Sequence, residues 1–229
     1  IMSLDYWRTN YGFTLAPRDL ARRRAYVASP DGRAHLARLI DAHRPQLAVA
    51  DDEALAASSI LGGFHDVVIA RRHLVDGARF DDQLASSGTL TPQEHEQYIA
   101  FTLEAARRLY AGNPFARDVV IFQNWLRPAG ASFDHLHKQL VAIDELGASR
   151  IKDIRSVAAH PDVLQDYQRL LRAEHLVIAQ TESADLVAGV GHHYPSLEVW
   201  TRRLSCDLWT ITPDELADLS ALLHAAHVA

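Results

Sequence analysis

The sequence predicts an α+β fold: an antiparallel sheet flanked by helices, built as two related halves of which the second is incomplete. Three observations lead there. Short β-branched runs of strand length alternate with long helical stretches. One string of strand, paired arginine, loop and Thr-Pro-x-Glu occurs twice, as VVIARR (67–72) ahead of TPQEHEQYIAFTLEAARRLY and as LEVWTRR (197–203) ahead of TPDELADLSALLHAAH. The second occurrence stops before any counterpart of the histidine-bearing stretch DHLHKQLVAID (134–144).

Along the chain, residues 17–44 read as helix, with Leu20, Tyr26, Leu36, Leu39 and Ile40 at helical intervals and SPDG as a break. ALAASSILGG (54–63) is ambiguous. HDVVIA (65–70) is a strand, and residues 74–90 are a loop. Thr91 then caps a helix with Pro92 at its first position and Glu94 completing a capping box; Ile99, Leu103 and Leu109 supply its apolar stripe and Gly112 its stop. DVVIFQNW (118–125) and residues 134–144 are strands joined by a Pro/Gly/Ala/Ser loop. A helix at 161–174, strands near 175–181, 184–190 and 196–203, and a helix from Thr212 complete the pattern. The units expected are an N-terminal helical segment (1–60), a catalytic half (61–150) and a partial second half (151–229).

Composition excludes several classes. The chain has 229 residues, 48% hydrophobic, which is enough for substantial cores. A net charge of −6 argues against duplex nucleic acid as partner, while a local arginine cluster still suits a small anion. Lys138 and Lys152 are its only lysines, and Cys206 its only cysteine, so no intrachain disulfide forms. No apolar run reaches membrane-spanning length and no signal peptide opens the sequence, so the compartment expected is the cytoplasm, without a membrane partner. An Ile ahead of Met2 and a helical pattern still running at the last residues read as part of a longer chain.

GASFDHLHKQL (130–140) concentrates the chemistry. On the strand 134–144, His135, His137 and Gln139 share one face, and Leu136, Lys138 and Leu140 the other. Three chemistries fit two imidazoles in that rhythm: metal binding, nucleophilic attack on phosphorus, and general acid–base work. A pair of surface histidines on an edge strand fits it as well. Arg127, between the two strands, suits a phosphate; Arg71 and Arg72 read as a solvent-facing strand end. His192 and His193 read as a turn before a strand, and Trp125 and Trp200 as packing residues.

Phe122, Asn124, Gly130, Ser132, His135, His137 and Gln139 follow the order of a known signature: Phe-x-Asn, a small-residue loop, then His-Pro-His-x-Gln. The stretch resembles the galactose-1-phosphate uridylyltransferase family of the histidine-triad superfamily. ARRHLVDG (70–77), LASSGTLTPQEH (84–95) and NWLRPAGASFDHLHKQLVAID (124–144) further resemble its DUF4921 branch. The resemblance implies that His137 is the nucleophile, that Gln139 holds the phosphoryl oxygens, and that Asn124, Ser132 and Gly130 line the substrate. It implies a structural zinc at His73 and His135, its other ligands lying outside this chain, and no organic cofactor. It also implies a nucleotide or nucleotide-sugar substrate, a sugar 1-phosphate partner in transfer, and a homodimer. Dinucleoside-polyphosphate phosphorolysis or hydrolysis, or silent nucleotide binding, are the alternatives. The chain departs from the signature in Leu136 between the histidines and in Phe133-Asp134 ahead of them, where the family tends to Asn-Pro.

Overall fold

The computed structural model describes residues 17–43, 51–57, 64–112, 114–131, 133–143 and 146–228. Its elements are α1 (Pro17–Ala28), α2 (Pro30–His43), α3 (Asp52–Ala57), β1 (Phe64–Ile69), α4 (Pro92–Gly112), β2 (Asp118–Phe122), β3 (His137–Ile143), α5 (Ala148–Ala159), α6 (Val163–Ala173), β4 (Val177–Gln180), β5 (Ala184–Ala188), β6 (Leu197–Thr201) and α7 (Pro213–Val228). The α+β class is as expected. Two antiparallel three-stranded sheets form, in the orders β1-β3-β2 and β4-β5-β6.

The first sheet lays α4 across one face. Val68 and Ala70, Leu136, Leu140 and Ala142 meet Tyr98, Ala105, Ala106 and Leu109 of α4. Leu136 and Leu140 are fully buried, each stabilising the fold by about 2 kcal/mol relative to exposure. The opposite face stays half open: Val67 and Ile69 of β1 and Val120 and Phe122 of β2 are exposed. In the second sheet, Ala184 and Leu186 of β5 pack against Leu222 of α7. Near the N-terminus α1, α2 and α3 close around Phe115 through Val27, Leu36, Leu55 and Ala56.

The repeated string folds twice in the same way. At α4 the Thr91 amide donates to Glu94 Oε2 (2.8 Å) and the Glu94 amide to Thr91 Oγ1 (3.2 Å). At α7 the Thr212 amide donates to Glu215 Oε2 (2.9 Å) and the Glu215 amide to Thr212 Oγ1 (3.2 Å). These are reciprocal capping boxes. The second arginine of each pair reaches the same glutamate: Arg72 Nη2 to Glu94 Oε1 at 2.7 Å, and Arg203 to both Glu215 oxygens at 2.6 Å. Arg72 is therefore a clamp between strand end and helix start, not the solvent-facing residue expected. The two helices pack on each other, and His95 Nδ1 bonds Ser220 Oγ across them at 2.8 Å.

Three local expectations change. The 17–44 helix is two helices, because Ser29 accepts the Gly32 amide on its Oγ (3.0 Å) and restarts the chain at Pro30; the side chains of Leu39 and Ile40 lie outside the described residues. Helix α5 was not anticipated. It is exposed along its whole length and has Gly147 as an N-cap with no side-chain bond, so neither a core stripe nor a cap signal marks it in the sequence. The histidine strand begins at His137, not at 134.

Candidate active site

Strand β3 is central in its sheet. Gln139 lies between Val67 and Phe122, and His137 is paired with Ile69. Paired residues share a face, so the His137 and Gln139 side chains emerge on the half-open side, away from α4. Lys138 points the other way, to Gln123 Oε1 (2.9 Å) and over the Tyr98 ring (5.1 Å). Burial depresses its ammonium to about 8. Its role is to tie β3 to the Gln123–Ser87 bond behind the sheet, as its assignment to the non-site face implied.

His137 is 2% exposed. Its Nδ1 lies 2.7 Å from the carbonyl oxygen of His135. A carbonyl can only accept, so Nδ1 carries the hydrogen and Nε2 the lone pair. Nε2 has no hydrogen-bond partner and is shut off from solvent. Phe133 stacks on the ring, centroids 3.9 Å apart and planes 21° apart. The imidazole is thus in the tautomer a phosphorus nucleophile needs, under an aromatic cover. Among the described residues, the Gln139 amide has no hydrogen-bond partner on the protein.

His135 does not share that face, contrary to the sequence reading. The chain bends through Phe133, Asp134 and His135 before the strand starts, and His135 Nε2 donates to the Ala70 carbonyl at 2.7 Å. The bond ties the bend to the end of β1, where the Ala70 amide in turn donates to the Leu136 carbonyl (2.9 Å). His135 serves His137 through its backbone oxygen. His73 lies against it, ring centroids 4.4 Å apart. With Nε2 committed to Ala70, His135 has only Nδ1 left as a donor to a metal. His73 and His135 together supply two ligands where structural zinc takes four. Among the described residues no three His, Cys, Asp or Glu side chains cluster suitably around an ion. A structural zinc held by this pair would need its remaining ligands from outside the described residues.

Asn124 and Gly130 come together. A Cβ on Gly130 would stand 3.6 Å from Asn124 Nδ2. Gly130, at φ +88°, closes a 3₁₀ turn over Arg127–Ala129, with Leu126 also at positive φ. Only glycine takes that conformation without strain. Arg127 is on the exposed side of this turn. Ser132 lies outside the described residues. Sequence reasoning missed Phe133; the signal was the bulky apolar residue where the resembled signature has a small polar one.

In the second unit, His192 Nε2 bonds Glu198 Oε1 at 2.5 Å, and Glu198 also accepts from Tyr167 and Trp200. Burial alone would raise the Glu198 carboxyl, but these donors, His192 first, hold it below its ordinary value. His193 is exposed. The two histidines form the turn expected before β6, Trp200 packs beside Tyr167, and Trp125 packs against the first core. Among the described residues, no helix is long and apolar enough to cross a membrane.

Solved structures share this fold. A uridylyltransferase mutant matches with a TM-score of 0.58 at 17% identity, over 71% of this chain and 52% of that one. A GalT-like protein from Arabidopsis thaliana matches at 0.51 and 20%, over 71% and 52%. An ADP-glucose phosphorylase from the same plant, solved with ADP-glucose bound, matches at 0.51 and 21%, over 71% and 49%. The chain spans about half the length of each. No curated protein sequence matches it significantly. The model of the family described as domain of unknown function (DUF4921) matches residues 1–229, and with the fold shared with these structures the chain belongs to that family.

Proposed function

We propose that the chain is a nucleotidyltransferase that works through a covalent nucleotidyl-His137 intermediate, taking a nucleotide sugar as donor and a sugar 1-phosphate as second substrate. The observation that carries this reading is the 2.7 Å bond from His137 Nδ1 to the His135 carbonyl. It fixes the lone pair on Nε2 and leaves the proton where a developing imidazolium is best stabilised. In the first step the Nε2 lone pair attacks the α-phosphorus. A P–N bond forms, the P–O bond to the leaving sugar phosphate breaks, and that group departs with the electron pair. In the second step a phosphate oxygen of the acceptor forms a new P–O bond and the P–N electron pair returns to Nε2. The Gln139 amide, unpaired and on the same face two residues away, donates to the phosphoryl oxygens; Asn124 and Gly130 position the substrate from the neighbouring turn, and Arg127 screens phosphate charge. A glutamine is no proton donor of the histidine kind, which suits an intermediate kept for a phosphate acceptor rather than for water.

The likeness to a uridylyltransferase and to an ADP-glucose phosphorylase supports a nucleotide-sugar substrate class. Assembly as a homodimer belongs to the same proposal and is checked by sedimentation. The test of the chemistry is intact-mass measurement after mixing the native chain with UDP- and ADP-sugars. A nucleoside monophosphate increment that survives base, is lost in acid and is absent from His137→Ala is expected. A chain that gains no mass with any nucleotide sugar is a binding protein and sinks the reading.

A further inference from the structure

Phe133 covers the one imidazole the chemistry needs. Its ring is stacked on His137, yet it is itself 37% exposed on its outer side. The loop that carries it is pinned at both ends. On one side the Ala131 amide donates to the Leu126 carbonyl (3.0 Å) and the Gly130 amide to the Arg127 carbonyl (2.9 Å). On the other, His135 Nε2 donates to Ala70. Between the pins, and among the described residues, neither Phe133 nor Asp134 makes a hydrogen bond. Swinging the ring away therefore breaks its stack on His137 and no hydrogen bond of Phe133 or Asp134.

A phosphorus bonded to Nε2 carries three equatorial oxygens that fan out above and below the imidazole plane. The Phe133 ring lies at stacking distance from that plane, on a side towards which such oxygens project. We propose that Phe133 is a gating residue: the ring must leave His137 before a phosphoryl group can approach, and it closes over the imidazole again once the nucleotide is gone. The gate keeps the free nucleophile from water and small electrophiles. Its purpose rests on the nucleotidyl-transfer reading, but its geometry does not. Once displaced, the ring has apolar neighbours to rest on, since Ile69, the pairing partner of His137, is 54% exposed on the same face.

The test is site-resolved carbethoxylation with diethyl pyrocarbonate, read by peptide mass spectrometry. Exposed His193 and fully buried His95 act as internal references. In the native chain His137 is expected to react far more slowly than His193, although its Nε2 is unbonded. Phe133→Ala is expected to raise the His137 rate about fivefold, the population shift that loss of one aromatic stack produces, while His95 stays protected. Phe133→Leu, which keeps an apolar cover without the flat stack, is expected to fall between them. It also decides the matter if the alanine variant unfolds and exposes His95. A native His137 as reactive as His193, or a rate unmoved in a folded Phe133 variant, overturns the gate. A gate that behaves as expected in a chain that never takes up a nucleotide overturns the functional reading alone. An adduct at His137 with no Phe133 effect overturns the gate alone.

Discussion

The two sheet-plus-helix units bury polar groups in opposite ways. In the second, Asp185 on the central strand is 3% exposed and fully answered: Arg172 Nη2 at 2.5 Å, Gln180 Nε2 at 3.0 Å, and Arg202 Nε and Nη2 at 3.0 and 2.9 Å. Burial alone would raise its carboxyl; the Arg202 and Gln180 bonds and the Arg172 charge together hold it below the ordinary carboxylate value. In the first, His137 on the central strand is as deeply buried, yet half of its hydrogen-bonding capacity is unused. A saturated buried group holds strands together. A buried group left half-open is a cost to folding that a reaction can recover.

Breaking the comparison at both ends gives the largest expected effects. On the proposed reaction, His137→Ala should lower turnover by about four orders of magnitude, as loss of a covalent nucleophile does, while the folded state persists because the hydrogen bond lost is the one to the His135 carbonyl. Asp185→Ala should do the reverse. It strands two guanidinium groups, and because both keep partial solvent contact the loss is about 2 kcal/mol rather than the larger figure for a fully enclosed pair. Denaturant melts and single-turnover kinetics on the two variants separate these outcomes. Equal effects on stability and turnover in both would erase the distinction between them.

Much of the shared frame was legible because it is local. A Thr, a Pro and a Glu at fixed spacing specify a helix start whatever surrounds them, and Thr91-Glu94 and Thr212-Glu215 both form the box expected. The site was legible less evenly. That His137 and Gln139 share a face follows from the two-residue period of a strand. That His135 leaves it depends on a bend at Phe133 and Asp134 that alternation cannot register, and on the Ala70 carbonyl 65 residues away. Arg72 was misread for the same reason, since its partner Glu94 lies 22 residues on. The stack of Phe133 on His137 needs the loop's path, and the loop's sequence signals only that a turn exists.

A middle-sized effect lies where the two units meet. His95 is wholly buried between α4 and α7, with Nε2 unpartnered. Desolvation first, then the charges of His224, Lys138 and His227, push its pKa down to about 4, against the opposing Ser220 bond. The unfolded chain takes up the proton near pH 6.5 and the folded chain does not. The stabilisation from a neutral His95 is complete above pH 6.5 and is lost as pH falls towards 4, by about 1–2 kcal/mol at pH 5 once screening is allowed for. Thermal melts of native chain and His95→Gln should converge between pH 7.5 and 5. Parallel curves would show that the interface between the units does not sense this proton.

The smallest effect sharpens the likeness rather than the difference. Each capping glutamate carries an arginine, but the arginines differ in what remains to them. Without Glu94, Arg72 still has Asp76 at 2.5 Å. Without Glu215, Arg203 keeps, among the described residues, hydrogen bonds to the Thr210 carbonyl at 2.8 Å and hydroxyl at 3.4 Å, with the Asp207 charge acting on it but no ion pair formed. Glutamine preserves the bond to the capped threonine amide and removes the charge, so Glu94→Gln and Glu215→Gln isolate the ion pair from the cap. The Glu215 variant should lower Tm about twice as far as the Glu94 variant, both shifts being small because the pairs meet solvent. The Arg203 fork first, then the Thr212 amide, hold the Glu215 carboxyl down to about 2, so its share is present above the unfolded carboxylate value and disappears as pH falls towards 2. The Tm gap between native chain and Glu215→Gln should therefore close in acid. If the two variants prove equally damaging, the second partner of Arg72 contributes nothing and the two clamps are equivalent in all but sequence.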